Sequence, residues 1–274
     1  MDGTRWMVFE EIDGKDNYRW WLGVAITEDT VVYLLDPSRS AEVPRNPLGP
    51  EAAGIINADR YAAYPAVGEK VFVAFRWSHV RRDFVRIQEG YKTLAQWAES
   101  WETRINELFA LNHQRLAAGS DPPAFQKADQ ILREAVERMA ERRDGELADP
   151  NLHAAARKAL ESLARHWAGC ILFVDHPEIP MDNNESERRL RDPVVGRKNY
   201  YGSGSVWSGM LTAMLFSLFQ TLLKNHLDPK KWLSAYFQAC AQAGGRPPDN
   251  LEAFLPWNLS AEQKGAWKLP EPFR

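Results

Sequence analysis

Three short runs of aromatic and β-branched residues near the start of the chain constrain the fold more than any other feature. The runs are RWMVFEE (5–11), RWWLGVAIT (19–27) and TVVYLLD (30–36), and they are separated by DGKDN and by a short acidic turn. Runs of this length and composition, bounded by turn residues, are typical of β-strands. The segment therefore predicts a meander of three antiparallel strands.

The pattern then changes from strands to helices. Two more apolar runs, GIINAD (54–59) and KVFVAF (70–75), follow the Pro-broken stretch PSRSAEVPRNPLG. From about residue 80 to 168, apolar residues recur at helical spacing, and DPPAFQKADQILREAVERMAERR opens with a helix start signal. This order predicts an α/β fold with a mixed sheet and an inserted helical module.

The rest of the chain predicts two more helices and an irregular tail. The short apolar run CILFVDHPEIP precedes a helix over 206–225, a second helix in DPKKWLSAYFQACAQAG, and a Pro- and Trp-rich strap from 246 onward. The stretch MLTAMLFSLFQTLL (210–223) is too short to span a bilayer and contains polar residues, so it predicts a buried helix. With no signal-peptide pattern at the start, we expect a cytoplasmic protein that does not contact a membrane.

Charge and cysteine content exclude two classes of site. The net charge is −3, so any nucleic-acid binding must come from local basic patches. Cys170 and Cys240 lie far apart and have no CxxC or CxxH neighbours. Neither a disulfide framework nor a zinc site is indicated, which is typical of a reducing compartment.

The segment MDNNESERRLR (181–191) concentrates acids, amides and arginines, and it has two interpretations. As a surface helix, it contains two possible capping boxes, from Asn184 to Glu187 and from Asp182 to Glu185. Acids in a first turn and arginines after them also complement a helix dipole without any further function. The other interpretation is a carboxylate that binds metal beside a polyanion. The segment alone leaves both open.

Two further acids favour the second interpretation when they are taken together. Asp59 ends a predicted buried strand and Asp2 lies just before the first strand, although each is also explained as a loop start or an exposed terminus. Carboxylates that converge from strand ends and a helix start are the hard oxygen ligands that suit Mg²⁺ or Mn²⁺. Two basic clusters lie near these acids in the sequence, and we expect the basic residues to bind phosphates. They comprise Arg76, Arg81 and Arg82, and Arg188, Arg189, Arg191, Arg197 and Lys198.

Five motifs in a fixed order match a known family. They are DGTRW (2–6), LDPSRSAEV with DRYAAY (59–64), WSHVRRDF (77–84), DNNESERRLR (182–191) and GRKNYYGS (196–203). On these motifs the chain resembles the insertion sequence 66 family of DDE transposases over nearly its whole length. The resemblance implies a ribonuclease H-like core with a helical insertion before the last acid. It also implies a catalytic triad of Asp2, Asp59 and Glu187. Glu187 is preferred to Glu185 because the family's acid directly precedes an arginine, here Arg188.

The resemblance also implies a mechanism and partners. The triad would hold two Mg²⁺ or Mn²⁺ ions for phosphoryl transfer on DNA. The expected DNA-binding residues are His79, Arg81, Arg82, Arg188, Arg191, Arg197 and Lys198, although His79 could equally be a simple helix-start residue. The expected partners are transposon ends, target DNA and possible accessory proteins of the element. The chain would act as a homo-oligomer on DNA, at the bacterial nucleoid.

The implied organisation divides the chain into four parts. They are the first part of the core (1–85), the helical insertion (86–170), the second part of the core with the third acid (171–225) and the C-terminal helix with its tail (226–274). Two positions depart from the family pattern: Arg76 stands where cysteine is frequent, and Gly3 replaces an acid in the first motif. Asp2 is only the second residue, so the alternative is a truncated, inactive remnant with weak non-specific DNA binding. On that ground we expect little or no end-specific cleavage by this chain.

The 11 tryptophans also raise the possibility of a carbohydrate-binding glycosidase with paired carboxylates. However, four of them fall within predicted helices, where packing in a core is the simpler explanation. These are Trp97, Trp101, Trp167 and Trp232.

Overall fold

The computed structural model describes residues 2–11, 18–38, 48–49, 51–60, 70–182 and 184–270. The chain divides into two compact units. The terminal unit combines Met1–Pro47 with Glu185–Arg274, and the central unit is Leu48–Asn184. The predicted DGKDN turn lies outside the described residues, as do parts of PSRSAEVPRNPLG and DRYAAY.

The terminal unit contains the predicted meander. β1 (Asp2–Val8), β2 (Tyr18–Ile26) and β3 (Val31–Asp36) form an antiparallel sheet in the order β1-β2-β3. The first strand begins earlier than its apolar run, because the ladder with β2 extends through Gly3 and Gly23 to the pair Asp2 and Val24. It also ends at Val8, so Glu10 and Glu11 were wrongly included in the predicted strand.

Two helices from the far end of the sequence complete this unit. They are α7 (Asn184–Tyr200), which contains Pro193, and α8 (Val206–Lys224). The Ser217 hydroxyl accepts a hydrogen bond from the Tyr33 amide at 2.7 Å, and the Thr221 hydroxyl accepts one from the Val31 amide at 3.0 Å. β3 is an edge strand in the order of this sheet, so its outer main-chain donors would otherwise be open to pairing with another strand. The two hydroxyls satisfy these donors. The core of the unit joins sheet and helices and includes Trp6, Val8, Leu22, Val31, Leu190 and Ala213.

The prediction that the 210–223 stretch is a buried helix is correct for only one side of α8. Gly209, Ala213 and Leu222 are buried, whereas Trp207 and Met214 are 73% and 67% exposed. By length and composition, α8 is apolar enough to cross a membrane, with 28% of the apolar window buried. Core helices of soluble proteins meet the same criteria.

The predicted helix after Asp228 and the tail strap are both present. α9 (Pro229–Gln242) starts with Asp228 as its cap, since the carboxylate accepts a hydrogen bond from the Lys230 amide at 2.9 Å. The tail contains a short 3₁₀ helix (Leu251–Phe254) and α10 (Ala261–Ala266). Trp232 of α9 donates from its indole to the Phe254 carbonyl at 2.8 Å, which attaches the strap to the helix.

The central unit consists mainly of helices around one core. Its strands β4 (Gly54–Ala58) and β5 (Val71–Phe75) form a parallel pair. Its helices are α1 (Trp77–Gly90), a 3₁₀ turn (Lys92–Leu94), α2 (Ala95–Ala117), α3 (Pro122–Ala148), α4 (Ala154–Arg165), α5 (Trp167–Cys170) and α6 (Leu172–Asp175). Trp101 is fully buried, and Trp97 and Trp167 pack against the same core. With Trp232 buried in the other unit, the packing role of all four helical tryptophans is confirmed.

Mixed α/β architecture is therefore confirmed, with two differences in detail. The helical pattern that starts at about residue 80 is interrupted early, because α1 ends at Gly90 and Tyr91 adopts an extended conformation. Among the described residues, the strands form a three-stranded antiparallel sheet and a two-stranded parallel sheet. The ribonuclease H-like arrangement and the four-part division of the chain stay predictions.

Candidate active site

Asn57 connects two of the sequence motifs within the central unit. It lies in β4, two residues before Asp59, and its side-chain amide donates to the carbonyls of Pro180 at 2.6 Å and Asp182 at 3.0 Å. Side chains two residues apart along an extended strand project to the same side, so we expect Asp59 to leave the strand on the side of these contacts. The start of the MDNNESERRLR segment is thus attached to the end of β4.

This segment is also held by its own hydrogen bonds. The Asp182 carboxylate accepts from the Asn184 amide nitrogen at 3.4 Å and from the Asn184 side chain at 2.6 Å. The Met181 carbonyl accepts from the Trp77 amide at 3.0 Å, which connects the segment to the start of α1. Met181 and Asp182 are therefore held within the central unit, and the surface-helix interpretation captures part of the segment's structure.

The first turn of α7 carries two acids, both in the terminal unit. Glu185 accepts a hydrogen bond from the Lys224 ammonium of α8 at 2.5 Å, and the two form an ion pair. Glu187 is exposed, on a helix whose Ser186 and Leu190 are buried. The charge of Glu185 is therefore already balanced by a neighbouring cation.

Asp2 opens β1 and is half-buried, and its carboxylate accepts from the Gly3 amide at 2.7 Å. The strand that carries it is connected to α7 by Arg197, whose guanidinium donates to the Thr4 hydroxyl at 3.3 Å and to the Arg5 carbonyl. Asp2 and Glu187 therefore belong to one unit and Asp59 to the other. Convergence of the three carboxylates stays a prediction.

Carboxylates are the ligands that Mg²⁺ and Mn²⁺ prefer, so the donor chemistry of the predicted triad fits either ion. Within the part of the chain that the structure describes, no three His, Cys, Asp or Glu side chains are grouped in a way that could hold a metal. Metal binding by Asp2, Asp59 and Glu187 therefore also stays a prediction. Both cysteines are free thiols, and Cys170 is buried.

The basic residues of α7 divide into two groups. Arg188, Arg191 and Lys198 are exposed. Arg197 is engaged with β1, as described above. Arg189 donates to the Gln220 side chain at 2.7 Å, so it connects α7 to α8. The exposed group is available to phosphates, whereas Arg189 and Arg197 also hold the unit together.

The basic residues near His79 lie along the first turns of α1. Arg82 is exposed, and the Arg81 guanidinium lies 3.7 Å from the Glu102 carboxylate. His79 is half-buried, and its carbonyl accepts a hydrogen bond from Arg60 at 2.8 Å. Arg76, the residue at the position where the family often has cysteine, is completely buried.

Arg60 and Asn57 are the site residues that sequence reasoning missed. The side chain of Arg60 is only 13% exposed, and its guanidinium donates to Asp83 at 2.5 Å, to the Ser162 hydroxyl at 3.0 Å and to the His79 carbonyl. It therefore connects the chain next to Asp59 with α1 and α4. The signal for them in the sequence was a polar residue two positions before Asp59 and another directly after it, in the run INADR (56–60).

Comparisons with known proteins agree with the motifs. The family model described as Transposase IS66 family matches residues 1–211, a range that contains all three predicted acids and every predicted DNA-binding residue. The chain is 29% identical to the uncharacterized protein y4jD of Sinorhizobium fredii, over 90% of this chain and 48% of that protein. It is also 29% identical to the uncharacterized protein y4qI of the same organism, over 86% of this chain and 44% of that protein.

The chain spans less than half the length of these curated relatives. No solved structure matches it. The family match covers well over half of the chain, and the chain belongs to the IS66 family of transposases.

Proposed function

We propose that this chain is the catalytic core of a DDE-type transposase that cuts and joins DNA strands, with Asp2, Asp59 and Glu187 as its reactive carboxylates. The observation that carries the proposal is the hydrogen bond from Asn57 to the Asp182 carbonyl. It joins the strand that leads to Asp59 with the segment that leads to Glu187, although the two bonded residues are 125 positions apart in the sequence. The contact brings the strand before Asp59 and the start of the DNNESERRLR segment together within the central unit.

The ion pair of Glu185 and the family pattern support Glu187 as the third acid. The Lys224 ammonium balances the Glu185 carboxylate, and a cation at this distance competes with any metal for the same oxygens. Glu187 is exposed in the same helical turn. Its position directly before Arg188 is also the family pattern.

The three carboxylates would hold the metal ions, and two bound Mg²⁺ ions would activate the attacking oxygen and stabilise the leaving oxygen. The chain's own contribution is to position these carboxylates. Asn57 holds the segment before α7 within the central unit, and Arg197 holds β1 to α7 within the terminal unit. A ribonuclease H-like arrangement of the core is part of this proposal.

Arg188, Arg191 and Lys198 would bind the DNA backbone beside the reacting phosphate. Glu187 and Arg191 are four residues apart on α7, and residues at this spacing are neighbours on a helix surface. Contacts of this kind position DNA without reading its sequence. The substrates would be the ends of the element and target DNA, bound in the cytoplasm by a homo-oligomer, with or without accessory proteins.

A nicking assay with two matched variants tests the proposal. Supercoiled plasmid carrying the DNA that flanks the chain's own coding region is incubated with the protein and Mn²⁺. Glu187→Gln removes a charge at constant size and should abolish nicking. Glu185→Gln makes the same chemical change two residues away, at an acid already paired with Lys224, and should retain nicking.

The outcomes of this assay distinguish Glu187 from Glu185 as the third acid, and an active core from an inactive remnant. Loss of nicking in Glu187→Gln, with retention in Glu185→Gln, supports the triad. The reverse pattern would move the third acid to Glu185. DNA binding without nicking in the unmodified chain would favour the alternative of a catalytically inactive remnant.

A further inference from the structure

A cavity of about 530 Å³ lies in the central unit between α1 and α4. Arg60, Arg86 and Tyr91 line it on one side, and Lys158 and Ser162 line it on the other. Sites for small organic ligands commonly have volumes of about 300–1,000 Å³. The cavity is therefore much larger than a single phosphate needs.

The charged residues of this cavity are mainly cations. Arg86 and Lys158 are exposed, and among the residues that the structure describes neither forms an ion pair. Asp83 also lines the cavity, but its carboxylate is bound to the Arg60 guanidinium at 2.5 Å. The remaining positive charge of Arg86 and Lys158 favours an anion, and phosphate is the anion that such donors bind well.

The rest of the wall is apolar and aromatic. Ile87, Ala155 and Ala159 line the cavity together with Tyr91, whose ring makes an edge contact with His153 at a centroid distance of 5.2 Å. Tyr91 is 44% exposed, so part of its ring is accessible to a ligand. An aromatic face next to cations is the combination on which an unpaired base stacks while its phosphate is neutralised.

We propose that this cavity binds one unpaired nucleotide, with its phosphate at Arg86 and Lys158 and its base on Tyr91. The source of that nucleotide, a DNA strand at the cleavage site, rests on the proposed function. Arg60 supports this source because it is the residue next to Asp59 and also lines the cavity. A strand whose phosphate reaches Asp59 would then place a neighbouring nucleotide within reach of the cavity.

Binding of a fluorescent single-stranded oligonucleotide, measured by anisotropy in EDTA, tests the proposal without requiring cleavage. The double variant Arg86→Glu with Lys158→Glu should bind at least tenfold more weakly. Its log–log salt slope should fall by about 0.7, because both side chains neutralise the same phosphate and each phosphate contact to a single strand contributes about 0.7. Tyr91→Leu should weaken binding about tenfold at an unchanged slope, as expected for loss of base stacking.

Lys127→Glu is the matched control, since Lys127 is an exposed lysine of α3 in the same unit and does not line the cavity. An effect of Lys127→Glu as large as that of the double variant would overturn the proposal, and so would unchanged binding by the cavity variants. A 5-iodouracil oligonucleotide should photocrosslink to the peptide that contains Tyr91, and crosslinking confined to other peptides would also overturn it.

Competition experiments distinguish a nucleotide site from a site for phosphate alone. Displacement of the oligonucleotide by a free deoxynucleoside monophosphate, but not by inorganic phosphate at the same concentration, supports a nucleotide site. If inorganic phosphate displaces the oligonucleotide as effectively as the deoxynucleoside monophosphate does, the cavity binds phosphate only and the proposed base contact is refuted. Because Glu187→Gln leaves the cavity intact, it should bind like the unmodified chain, so loss of catalysis and loss of this site are distinguishable.

Discussion

The side chain of Asn57 donates a hydrogen bond to the main-chain carbonyl of Asp182 at 3.0 Å, across 125 residues of sequence. A second bond from the same amide reaches the Pro180 carbonyl at 2.6 Å. One residue of β4 therefore determines where the segment before α7 lies in the central unit. This relationship makes Asn57 a positioning residue for the site we propose.

Replacement of Asn57 by aspartate should destabilise the central unit. The change keeps the side-chain size, removes both N–H donors and places a carboxylate against two carbonyl oxygens. We expect the free energy of unfolding in urea to fall by about 2–3 kcal/mol, the sum of two lost hydrogen bonds and the unfavourable new contact. Asn151→Asp, the same change at an exposed turn position, is the control and should have little effect. Equal stability of the two variants would contradict the role of Asn57.

Neutralisation of Arg191 and Lys198 should weaken DNA binding equally for every sequence. Both side chains are exposed on α7, and contacts with phosphates carry no base information. In Arg191→Gln with Lys198→Gln, the log–log salt slope for duplex DNA should become shallower by about 1.8, at about 0.9 per lost contact. Lys264→Gln, at an exposed position on α10, should leave the slope unchanged. A loss restricted to one DNA sequence would instead indicate base readout.

Asp129 should make the central unit sensitive to acid. Its carboxylate accepts hydrogen bonds from the fully buried Arg115 at 2.8 Å and from Arg133 at 2.7 Å. Burial alone would raise the pKa of Asp129, but the hydrogen bonds from Arg133 and Arg115 lower it below its ordinary value of 3.8. Because the folded pKa is depressed, this stabilisation is complete above the ordinary pKa and is lost as the pH falls through the folded one.

In the variant Asp129→Asn, the free energy of unfolding should therefore change less as the pH is lowered. At pH 7 it should be lower by about 3 kcal/mol, because the buried Arg115 loses its carboxylate partner. Asp175 offers a matched control, because its carboxylate pairs with Arg133 at 2.9 Å but is 70% exposed. Asp175→Asn should cost less than about 1 kcal/mol, as exposed pairs do. Similar decreases in the free energy of unfolding of the two variants would show that the burial of Arg115 does not strengthen its ion pair with Asp129.

The two thiols should react at very different rates. Burial raises the pKa of Cys170 to about 12, so its reactive thiolate is scarce at pH 8 and also shielded from reagent. Cys240 is only partly buried. A thiol reagent should label Cys240 first and Cys170 only as the central unit opens, and a Cys240→Ser variant isolates the slow reaction. Rapid labelling of Cys170 in that variant would show that the core around it is open.

Local sequence patterns were sufficient for most individual elements. The alternating burial of β3, with Val31, Tyr33 and Leu35 inside, follows directly from its β-branched and aromatic residues. The start of α9 was equally evident, since Asp228 and Pro229 form a cap and a first-turn proline. Boundaries were less accurate where pairing decided them, as at Asp2, which extends β1 because a partner residue is available on β2.

The connections between motifs were not predictable in the same way. No local pattern indicates that Asn57 would meet Asp182, or that Arg60 would reach Asp83 and Ser162, because such contacts depend on how whole elements pack. The preference for Glu187 over Glu185 came from the family pattern and stays a prediction. The ion pair of Glu185 with Lys224 of α8, 39 residues away, had no local signal in the sequence.

The hydrogen bond between Ser217 and Tyr33, which are 184 residues apart, also has a consequence for biosynthesis. Domains tend to fold as units while the chain emerges from the ribosome, at about 5–20 residues per second. The central unit is continuous in sequence and can fold as soon as it has emerged. The three-stranded sheet must wait, with its apolar face exposed, until α7 and α8 follow. We therefore expect the first strands to be the part of the nascent chain that most depends on chaperones, and the loop-closing contacts of α8 to set the pace of folding.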